Sequence, residues 1–173
     1  ATGEIQINAA VTTDGGHLSA KAGQDLTLGA HVSLSTNDGN IVLQADHNQD
    51  RNGNGGALTM QDGSLIDPGS GTITLAADEH ITVSRLVTGN DTASAVTITS
   101  TSGSLLDNED AGDNDLDVTA ATAVVTITTA TGIGSSDNPL ETSISTLIAS
   151  VTGTGDVHIA ETDAINLHSI TTA

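Results

Sequence analysis

The stretch Gly71-Thr-Ile-Thr-Leu-Ala-Ala-Asp-Glu-His-Ile-Thr-Val-Ser-Arg-Leu-Val-Thr88 limits what this chain can fold into more than any other. Its apolar residues alternate at Ile73 and Leu75, then at Ile81 and Val83, with a polar corner from Ala77 to His80 between them. Alternation with period two is the mark of strands with one buried face. The pattern returns without a gap from Gly155 to Thr172, where Val157, Ile159, Ile165, Leu167 and Ile170 take the places of Ile73, Leu75, Ile81, Val83 and Leu86. A third copy lies upstream, with Gly16, Leu18, Leu26 and Leu28 matching and Ala20 in place of Leu75. A strand-corner-strand unit repeated in one chain points to a stacked repeat architecture.

Further units begin at Gly3, Gly39 and Gly56, and strands recur at Val96-Thr-Ile98 and Val125-Thr-Ile127. Unit starts are unevenly spaced, a variation that a solenoid absorbs in its corners. No segment has a helical period, and the abundant Thr, Val and Ile favour strands. The chain has no Phe, Tyr or Trp. A core without aromatic rings suits a narrow interior of stacked Val, Ile, Leu and Ala. The expected fold is therefore all-β, a right-handed parallel β-helix (β-solenoid) of roughly eight coils without evident caps. Residues 1–173 read as one segment with polar loop insertions near 46–56 and 107–115. A β-sandwich also has short strands and turns, but it does not require a gap-free repeat of the unit. The glycine that leads each unit is expected at a corner of unusual backbone conformation.

The formal charge is −19, with Lys21, Arg51 and Arg85 the only Lys and Arg residues. Nucleic-acid binding needs clustered cations and is excluded on that ground. No stretch is apolar and long enough for membrane insertion as a helix. Such a charge keeps rods apart sideways and draws counter-cations.

Two segments carry a possible calcium chemistry. Asn48, Asp50 and Asn52 place oxygen ligands at alternate positions before Gly53, as in a calcium loop, but Thr59 stands where the bidentate Glu belongs. A solvated turn is the competing reading. The better metal candidate is the acidic loop Asp107, Glu109, Asp110, Asp113 and Asp115, which with Asp117 packs six carboxylates into eleven residues. A hard divalent cation would relieve their repulsion; carboxylates splayed in water would do the same. Calcium is the one cofactor these residues suggest, and none is required by the fold. The six histidines are dispersed and do not form a metal set. No residue set stands out as catalytic, and the chain is expected not to be an enzyme. Were it a polysaccharide-cleaving β-helix, Asp46, Asp50 and Arg51 would be the place to look. Outward pairs Thr72-x-Thr74, Thr97-x-Thr99 and Thr126-x-Thr128 raise an ice-binding alternative, against the plain fact that Thr is a good exposed strand residue.

The run from Gly16 to Leu28 resembles the coils of filamentous-haemagglutinin-like large exoproteins. The strongest resemblance is Thr131-Gly-Ile-Gly-Ser-Ser-Asp-Asn-Pro-Leu-Glu-Thr142, followed by Leu147-Ile-Ala and Gly153-Thr-Gly-Asp-Val-His-Ile159. The resemblance implies a bacterial cell-surface or extracellular location and structural or adhesive work. Partners would then be further repeats of the same polypeptide, end-to-end copies of the chain, or surface glycans.

Overall fold

A computed structural model describes residues 3–47, 55–108 and 116–173. These residues contain no helix, and every pairing between their strands is parallel. The chain winds through three faces per turn, and the same face recurs once per coil. Coil one holds β1 (Ile5–Ile7), β2 (Val11–Thr12) and β3 (Leu18–Lys21). Coil two holds β4 (Leu26–Leu28), β5 (Ser33–Ser35) and β6 (Ile41–Gln44); coil three holds β7 (Leu58–Met60), β8 (Leu65–Asp67) and β9 (Ile73–Ala77). Coil four holds β10 (Ile81–Val83), β11 (Arg85–Val87) and β12 (Val96–Ser100). In coil five, β13 (Leu105–Asp107) precedes one long strand, β14 (Val118–Thr129), which bends across two faces. Coil six repeats this with an isolated bridge at Ile133 and β15 (Leu140–Val151). Coil seven has a bridge at Val157, then β16 (Ile159–Glu161) and β17 (Asn166–Thr172).

The expected parallel β-solenoid is thus the fold, and the described residues make about seven coils where the sequence suggests roughly eight. The count from sequence runs high because coils differ in length. The step from Ile5 to its partner Leu26 is much shorter than the step from Leu26 to its partner Leu58.

The register explains the missing aromatics. On the first face Ile5, Leu26, Leu58, Ile81, Leu105, Ile133 and Val157 lie directly over one another. On the third face the file is Leu18, Ile41, Ile73, Val96, Val125, Leu147 and Leu167. Each branched side chain packs on one of similar size about 4.8 Å above it, and the interior residues of coils two to six are almost all buried. A slip by one residue would send a whole file outward, so the alternation fixes the register.

Two details depart from the sequence reading. The upstream copy at Gly16 does share faces with the Gly71 unit, Leu18 and Leu26 matching Ile73 and Ile81. The downstream copy at Gly155 does not. Val157 stacks in the file of Ile81, Ile159 over Leu140, and Leu167 in the file of Ile73. Every corner of a three-faced coil joins two alternating strands, so the pattern marks a corner without saying which one. Most of the leading glycines have another cause. Gly3, Gly16, Gly39, Gly71 and Gly155 lack positive φ, whereas Gly56 has it and meets the expectation. A Cβ on Gly39 would strike the carbonyl of Gly16, and one on Gly71 the carbonyl of Gly39. These glycines let one coil's backbone lie against the next.

Candidate functional site

At corners the backbone leaves the ladder, and its N–H groups need other acceptors. Side chains from the neighbouring coil supply many of them. Asn40 N–H donates to His17 Nδ1 (2.8 Å), and Ser104 N–H to His80 Nδ1 (3.0 Å). Thr72 N–H donates to Asn40 Oδ1, and Ser70 N–H to Asp38 Oδ1. Asp25 Oδ1 accepts from both Gly56 and Ala57. Near the other end Ile144 N–H donates to Glu161 Oε1. Asp, Glu, Asn and His side chains all accept at such places, which gives part of the acidic composition a structural task. It also places two of the dispersed histidines.

One corner gathers more than it needs for that task. Asp107 ends β13, Asp117 stands just before β14, and Glu141 lies on β15 one coil further on. One carboxylate oxygen from each lies within 4.8 Å of the others. Asp117 is 3% exposed, and its Oδ2 accepts from Glu141 N–H at 2.8 Å. Burial, reinforced by a hydrogen bond and repulsion from Asp107, pushes the Asp117 carboxyl up to about 9. Burial and the charge of Asp107 also raise Glu141. The raised carboxyls at this corner take up a proton more readily than ordinary ones, which relieves repulsion among the crowded carboxylates. A cavity of about 160 Å³ opens beside Asp107, lined also by Leu106, Gly134, Ser135 and Asn138.

Of the expected calcium ligands, only Asp107 falls among the described residues. Glu109, Asp110, Asp113 and Asp115 lie outside them, as do Asn48, Asp50, Asn52 and Arg51. The sequence reading includes Asp117 in the carboxylate count but misses Glu141. The signal is there in the spacing, since Glu141 is 24 residues, about one coil, beyond Asp117.

The outward threonines form a smaller array than expected. Thr74, Thr97 and Thr126 stack, as do Thr99 and Thr128, but Thr74 pairs with Thr97 and leaves Thr72 outside the pattern. Val42 and Ile148 border the first column, while Ala76 and Ser150 border the second.

Comparison of the chain with protein families, curated proteins and solved structures gave no match.

Proposed function

We propose that this chain is a noncatalytic structural β-solenoid of the bacterial cell surface, a stalk or adhesin segment whose open ladders take further coils. Either further repeats of the same polypeptide or a second copy of the chain, stacked end to end, would continue those ladders. The observation that carries the reading is the state of coil seven. Leu167 is 57% exposed and Ile170 44%, although both continue files that are buried through coils two to six. Val157, Ile159 and Ile165 beside them are half-buried and, with Leu147 and one charged neighbour, Glu161, line a mostly apolar hollow of about 230 Å³. On the opposite face of the stack Ile5, Ile7 and Leu18 are likewise only partly covered.

Because all strands are parallel, these two faces are unlike and complementary. A coil-one edge set on coil seven continues both the hydrogen-bond ladder and the apolar files. Such a head-to-tail contact does not close on itself and generates a filament. The negative charge keeps filaments from merging sideways. Support for the surface location comes from the resemblance of residues 131–170 to large exoproteins, with glycans as the partner class of an adhesin.

Negative-stain electron microscopy over a concentration series tests this reading. Rods that lengthen without thickening are expected. Single short rods at every concentration would contradict end-to-end stacking.

A further inference from the structure

Asp46 breaks the rule that the other corner carboxylates follow. It closes coil two just past β6, is 4% exposed, and adopts a positive φ of 45°. Its backbone N–H donates to Gln24 O (3.1 Å). Its two carboxylate oxygens are both sealed from solvent, and neither has a hydrogen-bond partner among the described residues. Burying a carboxylate without donors is among the costliest arrangements a protein can hold, and proteins resolve it with a proton, a donor or a cation.

The surroundings favour a cation. Asp46 lines a cavity of about 130 Å³ that runs up three coils, with Gln44 beside it, Asp78 one coil above and Thr101 two coils above. The hollow exists because Ala76, which pairs with Gln44 below and Thr99 above, has too small a side chain to fill the column. Gly56 lies against both carboxylate-bearing residues: a Cβ there would be 3.2 Å from the Asp46 Cβ and 3.4 Å from that of Asp78. Lys21, at the register position below Gln44, is exposed.

We propose that this corner is a binding site for a hard divalent cation of the calcium class, with Asp46 as its central ligand and Asp78, Gln44 and Thr101 completing an oxygen cage. Carboxylate, amide and hydroxyl oxygens with room for water match the six to eight oxygens that calcium takes. An all-oxygen cage, without His or Cys, disfavours zinc. The cation would clamp coil two to coils three and four at the point where the chain leaves the ladder for the 46–56 insertion.

The test is calorimetric titration of the chelator-treated full chain with calcium chloride, in about 0.15 M salt so that diffuse counterion attraction is screened. Wild type is expected to bind saturably and to melt at a higher temperature with calcium. Asp46→Asn should weaken binding roughly tenfold or more, and Asp117→Asn, at the other acidic corner, should leave it unchanged. Ala76→Val fills the hollow without removing a ligand and should also weaken calcium; it decides the matter if Asp46→Asn fails to fold by circular dichroism. A wild type that takes up no calcium, or a folded Asp46→Asn or Ala76→Val that binds as wild type does, would overturn the site.

Discussion

Coils three and four and coil seven carry the same alternating pattern, yet their side chains live in different environments. Ile73, Leu75, Ile81, Val83 and Leu86 are fully buried. Val157, Ile159 and Ile165 are half-covered, and Leu167 and Ile170 are open. Composition does not separate the two regions; neighbours do. A single coil is too thin to bury its own apolar file, and each file becomes a core only when a coil lies on either side. Repetition therefore leaves each unit dependent on the next, and the difference between inner and outer coils measures that dependence.

Truncation should show the largest contrast. Leu75→Ala removes a fully buried side chain between Leu43 and Ile98 and is expected to cost about 2–5 kcal/mol. Ile170→Ala, in the same file, should cost less than about 1 kcal/mol in dilute protein. Thermal melts followed by far-ultraviolet circular dichroism suit a chain with no aromatic residue. Equal costs at the two sites would break the comparison.

Backbone contact between coils gives a second contrast. Gly71→Ala drives a Cβ into the Gly39 carbonyl and should cost about 1–3 kcal/mol or more. Gly89→Ala, whose Cβ would meet only Gly69 O at 3.6 Å, should be nearly silent.

A pH-dependent effect belongs to the Asp117 corner. The folded chain holds that proton up to about 9, whereas the unperturbed group releases it at about 3.8. Folding thus takes up a proton between those values. This contribution to stability is full at the acid end and is lost as pH rises from about 4 towards 9. Asp117→Asn can still accept from Glu141 N–H and carries no charge. It should flatten the slope, and its advantage over the wild type should grow as pH rises from about 4 towards 9. Unfolding midpoints of the two proteins across that range check the sign: a wild type that gains on the variant with rising pH would contradict it.

The solenoid is legible in the sequence because period-two alternation and turn residues are local and recur. The identity of the face is hidden, since every corner of a three-faced coil looks alike; that is why Val157 can be aligned with Ile73 and yet stack in the file of Ile81. The acidic corner is half legible. Asp107 and Asp117 are close in sequence, but Glu141 joins them only through the stacking of one coil on another. Asp46 gives no comparable local signal. What singles it out is a buried carboxylate without a hydrogen-bond partner among the described residues, beside a cavity built by three coils together.

Hydrogen exchange measured against protein concentration tests most directly whether a coil owes its protection to its neighbour. Amides of β9 and β10 have coils on both sides and should exchange slowly at all concentrations. Among the described residues β17 pairs only with β15; its amides should exchange rapidly in dilute solution and become protected as copies stack on the open edge. If β17 exchanged at one rate at every concentration, the open ladder would not be the surface through which these rods extend.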